Sequence, residues 1–325
     1  MSDLHKNLLK KHQPSPPPLQ QTPPTADDEL IITNYKQFKQ TLTSEIYIHE
    51  ALSFQTYYKP GDDTSVLFCV HGAGSSSMTF AALCQQLTIG IFMYDLRGHG
   101  NSSKQVPDYQ LTSLVRDTQS ILDQFVQTHP EITQIYLLGH SLGGSIITNI
   151  KHSLVKGIIV LDIVEETAIK SLTIAMPQFI SKLPLQFTSM SQAVDWHMNN
   201  LLNNETSAQL SVPDLLTSNL TFQVDLFKTK PYWKSWFDKL SSNFINYPGG
   251  KLLILANHET LDKSLIIGQM QGKYQLVVFN TNGHFIHEDL PMQVSVTISD
   301  FIKRSTISQQ QQERIVPKWG GKVHS

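Results

Sequence analysis

The stretch Leu137-Leu138-Gly139-His140-Ser141-Leu142-Gly143-Gly144 constrains this chain more than any other, because it sets a Gly-x-Ser-x-Gly sequence between an apolar run and a helix. Gln134 to Leu138 has the composition of a buried parallel strand, and Ile146, Ile147 and Ile150 follow at helical spacing. A serine at so sharp a strand-to-helix turn stands in strained backbone, its hydroxyl lifted clear of the sheet and glycines relieving the crowding. Read as a tight turn alone, the motif would have no use for that context.

Strands and helices alternate around the motif. Val66 to Val70 is a continuous apolar strand, followed by the turn His71-Gly72-Ala73-Gly74 and a helix bearing Phe80, Leu83 and Leu87. Ile91 to Tyr94 is the next strand, and Leu111 to Val126 carries an apolar stripe at helical spacing. Gly157 to Leu161 is a strand ending at Asp162, and Lys251 to Ala256, Gln275 to Phe279 and a helix over Pro291 to Lys303 complete the pattern. Such alternation predicts an α/β fold, a mostly parallel sheet with helices on both faces. Glu45 to Tyr58 reads as an antiparallel opening hairpin.

Three stretches depart from that rhythm. Residues 1–28 hold Pro14, Pro16, Pro17, Pro18, Pro23 and Pro24 among glutamines, the composition of a disordered arm ahead of a domain spanning 29–305. Between about 164 and 248 the strand signal gives way to helical pieces, with Pro177, Pro184, Pro213 and Pro231 as breaks, and a lid inserted between strands is expected. Residues 306–325, rich in glutamine, read as a flexible tail.

Composition bounds the partners. Charged residues are 16% of the 325 and the formal net charge is −2, so no global field favours nucleic acid or an anionic membrane. Two cysteines, Cys69 and Cys84, both in apolar surroundings, and no secretory signal or long apolar span point to an intracellular, soluble protein. The basic and histidine positions between Leu4 and His12 lack the arginines of an organelle address. No HxxxH or CxxC spacing suggests a metal, and neither metal nor cofactor is expected.

Ser141 needs a base within hydrogen-bond reach, and the base needs a carboxylate to hold its tautomer. In the chain order of α/β-hydrolases the histidine follows the last strand, where Gly283-His284-Phe285-Ile286-His287-Glu288-Asp289 lies. His284, freed by the preceding glycine, is the expected base, and His287 is read as structural. Two strand ends offer an acid, Asp162 after the strand that follows the elbow and Glu259 after the penultimate strand. The residues alone do not choose between them. The backbone N–H groups of Ala73 and Leu142 are the natural oxyanion donors, and losing one such donor typically costs about 10²-fold or more in rate. A decoy lies nearby: Gly72-Ala73-Gly74-Ser75-Ser76-Ser77, with Asp95 closing the next strand, imitates a dinucleotide fingerprint, but Ser77 replaces the third glycine. Arg97, His99 and Ser102 read as scaffolding, and Tyr232, Trp233, Trp236 and Phe237 as core rather than substrate wall. Glu165 and Glu166 stand where the mouth of a site would be, or in solvent.

With these residues assembled, the chain resembles the eukaryotic protein phosphatase methylesterases from about Tyr47 to Arg304. The shared segments include VLFCVHGAG at 66–74, DLRGHGNS at 95–102, LLGHSLGG at 137–144 and VLDIVEETA at 160–168. KTKPYWKSWFDKLS at 228–241, LDKSLIIGQMQGKYQ at 261–275 and GHFIHED at 283–289 are more specific than the widely shared elbow. The resemblance implies an α/β-hydrolase fold and hydrolysis of the methyl ester on the C-terminal leucine of the type 2A protein phosphatase catalytic subunit. It assigns nucleophile, acid and base to Ser141, Asp162 and His284, favouring Asp162 over Glu259. It also implies a site that becomes competent when the phosphatase docks; a monomer when free, in the cytoplasm and also the nucleus, is expected. Glu166 and Glu259 depart from the family's glycine and aspartate. The alternatives are a small-molecule serine esterase and a non-catalytic phosphatase-binding protein on the same scaffold.

Overall fold

The structure, a computed structural model, describes residues 22–257, 261–281 and 283–314. Eight strands form one sheet: β1 (Thr43–His49), β2 (Leu52–Lys59), β3 (Ser65–Val70), β4 (Gly90–Tyr94), β5 (Gln134–His140), β6 (Val155–Leu161), β7 (Gly250–Leu255) and β8 (Gln275–Val278), in the order β1-β2-β4-β3-β5-β6-β7-β8. The β1–β2 hairpin is antiparallel and adds to β4 antiparallel, while every pairing from β4 to β8 is parallel.

The parallel strands are apolar runs because both of their faces are covered. Alternate residues serve opposite layers: Val66, Phe68 and Val70 pack with the helix Leu111–Thr128, while Leu67 and Cys69 pack with Ala81–Gln86 and the last helix. Order reverses at β3, which lies between β4 and β5. Connections from β3 and β5 therefore diverge, opening a crevice at the strand ends, the usual binding position in open parallel sheets. Val70 pairs with Gly139, so the turn after β3 and the elbow after β5 are neighbours.

Between β6 and β7 the chain makes a helical excursion from Glu165–Thr173 to Leu240–Asn246. Pro213 and Pro231 open short 3-10 turns, but Pro177 lies in the first turn of the helix Ala175–Lys182. It does not break that helix, because first-turn N–H groups have no intrahelical acceptor to lose.

Both ends differ from the sequence-based expectation. The stretch read as a disordered arm ends early: Thr25 caps a helix, Ala26–Gln40, in a reciprocal capping box with Asp28. Asp28 also accepts from the Ser191 N–H and hydroxyl, and these donors hold its carboxyl down at about 2 despite burial. Near the other end of the helix Lys39 and Tyr35 converge on buried Asp214. Ile31 and Phe38 are buried and Tyr35 packs against the core, an apolar stripe at helical spacing to which the Asp28 and Lys39 contacts add. The last helix runs from Pro291 to Arg314, past the expected boundary at 305, since glutamine favours helix and no breaker intervenes. Residues 1–21 and 315–325, the remainder of the expected arm and tail, lie outside the described residues. Among the described residues no helix is long and apolar enough to cross a membrane.

Candidate active site

Ser141 follows β5 with φ +52°, a left-handed value that is costly for a residue with a side chain. Two close approaches hold it there. Its N–H donates to the Leu161 carbonyl at 3.0 Å, and the turn after it is pressed onto β3. A Cβ on Gly143 would lie 2.0 Å from the Val70 carbonyl oxygen, and one on Gly72 would lie 3.1 Å from the Ser141 Cβ. Glycine is required at 143 by this contact with backbone.

Asp162, one residue beyond β6, shares the unusual φ of +52°. Its N–H donates to the Ile254 carbonyl at 2.8 Å, and its Oδ1 accepts from the Ala256 N–H at 2.7 Å. Its Oδ2 accepts from His284 Nδ1 at 2.7 Å. Donation from Nδ1 fixes the tautomer and leaves Nε2 as the basic nitrogen. The His284 side chain is 45% exposed, against 6% for Asp162. Ser141 and His284 line the same cavity, yet no hydrogen bond joins the serine hydroxyl to the ring in this structure. Catalytic contacts are often open before substrate binds. Glu259 lies outside the described residues.

Ala73 and Leu142 line the cavity beside Ser141. Leu142 opens its helix, so its N–H has no carbonyl a turn back within that helix. The Ala73 turn is held from below by two buried histidines. His71 donates from Nδ1 to the Gly72 carbonyl and accepts the Leu96 N–H on Nε2. His99 donates from Nδ1 to the Arg97 carbonyl and accepts the Gly74 N–H on Nε2. Burial pushes both below the usual imidazole range, His99 to about 4, so each stays neutral and keeps its acceptor nitrogen. Arg97 grips Asp117 with two bonds of 2.6 and 2.8 Å, and Ser102 ties the Asp95 carbonyl to Gln55. Asp95 is buried, spending its carboxylate on Ser77 and Asn101, which removes the ribose contact a dinucleotide site would need.

The cavity measures about 310 Å³ and is mainly apolar. The excursion supplies Leu172, Met176, Phe179 and Leu183 to its wall, and Trp236 and Phe237 are both core and wall. Met176, Phe179 and Leu183 fall at helical spacing, a stripe that could have been read in the sequence. His287 is fully buried with Nε2 on the Thr79 hydroxyl, and burial holds it at about 3. Glu165 accepts from the Ser241 N–H and Glu166 pairs with exposed Lys170, so the first fastens the excursion and the second faces solvent.

A mostly parallel eight-stranded sheet with a strained serine at the end of a central strand defines the α/β hydrolases as a class. Residues 66–296 match the model of the alpha/beta hydrolase family. A crystal structure of E-2-(acetamidomethylene)succinate hydrolase shares the fold at a TM-score of 0.65 and 17% identity, over 81% of this chain and 99% of that one. An esterase of M. tuberculosis does so at 0.63 and 15%, over 86% and 99%. Protein phosphatase methylesterase 1 of Candida albicans is 48% identical over the whole of both chains. That of Debaryomyces hansenii is 48% identical over 83% of this chain and 78% of its own. Within the α/β hydrolases, then, this chain belongs to the protein phosphatase methylesterase family, a family of carboxylic ester hydrolases.

Proposed function

We propose that this protein is a serine carboxylesterase that demethylates the C-terminal leucine methyl ester of the type 2A protein phosphatase catalytic subunit. The observation that carries the reading is the Asp162–His284 pair, beside Ser141 on an apolar cavity, in a chain 48% identical throughout to a protein of that name. Ser141 attacks the ester carbonyl while His284 Nε2 takes the hydroxyl proton and Asp162 holds the imidazolium. The N–H groups of Ala73 and Leu142 receive the oxyanion. The C–O bond to the methoxy group breaks, His284 returns the proton to it, and methanol leaves an acyl-enzyme on Ser141. Water, deprotonated by His284, then frees the carboxylate.

An apolar leucine suits the wall built by Leu172, Met176, Phe179 and Leu183, and in this scheme the segment 164–248 is a lid on the catalytic domain 29–305. A methyl group offers little to bind, so affinity must come from docking outside the cavity. The helix Lys263–Met270 leaves Ile266, Ile267 and Met270 exposed, Met270 by 84%, a surface that suits a protein partner. Docking would also supply the last link, between Ser141 and His284. The free protein is a monomer in this reading, meeting its substrate in cytoplasm or nucleus without metal or cofactor.

Fluorophosphonate treatment followed by peptide mapping tests the chemistry. The adduct is expected on Ser141, and methanol release from the methylated phosphatase should stop with it. Continued methanol release from protein unlabelled at Ser141 would refute the mechanism. Rapid, partner-independent turnover of a short aryl ester, with the phosphatase left methylated, would instead assign a small-molecule esterase.

A further inference from the structure

His284 is held by its ring, through Asp162, but a ring held at one nitrogen can still pivot about that bond. Its main chain needs a second anchor. The loop from β8 is tied to β7 by Phe279 N–H to the Leu255 carbonyl at 3.0 Å and Thr281 N–H to the Ala256 carbonyl at 2.6 Å. Beyond Thr281, His140 reaches across from the end of β5 and bonds the His284 carbonyl at 3.0 Å. The same imidazole packs against the His284 ring with centroids 4.6 Å apart, and against Phe285 at 5.0 Å and His287 at 4.6 Å.

We infer that His140 is a positioning residue for the base, fixing His284 to the strand that carries the nucleophile by donating from Nε2 to the His284 carbonyl. This rests on the assignment of Ser141 and His284 proposed above. A carbonyl can only accept, so Nε2 must carry the hydrogen. Nδ1 is buried without a partner, close enough to Gly72 that a Cβ there would lie 3.2 Å from it. A proton on Nδ1 would therefore be buried and unsatisfied, which keeps the ring neutral. The titratable groups facing it, His71 from the turn after β3 and His284 and His287 from the segment after β8, add to that preference, since a second positive charge would repel a protonated ring. Because His140 immediately precedes Ser141, one residue couples the nucleophile's strand to the base's loop. Errors of about 1 Å between reacting groups cost on the order of 10²-fold in rate.

The test compares His140→Phe, which keeps a ring and loses the donor, with His140→Gln, whose amide nitrogen can reach the same carbonyl. Each is measured for kcat and KM on the methylated phosphatase catalytic subunit, for fluorophosphonate stoichiometry, and for the rate of labelling. His140→Phe should lose about 30- to 100-fold in kcat and labelling rate, with KM within about 3-fold and stoichiometry still near one per chain. His140→Gln should recover to within about 5-fold of the parent. Retention of kcat within about 3-fold in His140→Phe, or a His140→Gln variant no better than it, would overturn the inference. His284→Ala separates this from the parent reading: normal turnover there sinks the triad assignment itself, whereas loss of turnover leaves the His140 pair to decide.

Discussion

The two halves of the site are built differently. Ser141 and Asp162 stand at the ends of neighbouring parallel strands, each in left-handed backbone and each bonded through its own N–H to the next strand, at Leu161 and Ile254. Much of the cavity wall comes from the excursion, a chain of helices none longer than eleven residues, whose Ile169, Ile174 and Leu185 remain exposed. Strain persists only where surroundings over-determine it, and a ladder of backbone bonds does so. Short helices resting on side-chain contacts can shift instead. In the proposed function the rigid half would carry the chemistry and the adaptable half the shape of the substrate pocket.

This contrast can be broken most severely in the rigid half. Ser141→Ala should lower kcat by about 10⁶-fold while phosphatase binding, read by pull-down, persists. Asp162→Asn should cost about 10⁴-fold in kcat by disturbing the His284 tautomer. Glu259→Gln should stay near the parent, and the reverse ranking would transfer the acid's role to Glu259. Gly143→Ala drives a Cβ into the Val70 carbonyl and should destabilise the fold by about 2 kcal/mol in urea unfolding. In the adaptable half, Phe179→Ala should raise KM for the leucine ester by about 10-fold with little change in stability, because one wall group is lost from a site that can re-close.

The smallest effect sharpens the comparison through pH. Burial raises the Glu288 carboxyl from 4.5 to about 8. Between those values the unfolded chain has released a proton that the folded chain still holds, so this group makes stability fall as pH rises. Glu288→Gln should therefore gain stability relative to the parent progressively from pH 5 to 8, measured by urea midpoints. Buried histidines act oppositely. His197 and His99 are held at about 4, so both erode stability as pH drops below 6.5.

Much of the rigid half was legible in sequence, because fully covered parallel strands are written as apolar runs and the elbow demands its glycines. Asp162 and Glu259 were equivalent as strand ends, and the family resemblance favoured Asp162; in the structure Asp162 bonds His284, while Glu259 lies outside the described residues. His140 was hidden for a different reason. Its role depends on a carbonyl 144 residues later, and pattern within a segment carries no such information. The wall residues Met176, Phe179 and Leu183 did show periodicity, which by itself marks an apolar face without saying what that face meets.

The helix Ala26–Gln40 has a consequence for how the protein is made. Its polar anchors, Asp28 on Ser191 and Lys39 with Tyr35 on Asp214, span 163 to 179 residues of sequence. As the chain leaves the ribosome these anchors cannot form until Ser191 and Asp214 have emerged. Truncation before that point would release a nascent chain in which the helix Ala26–Gln40 lacks both polar anchors.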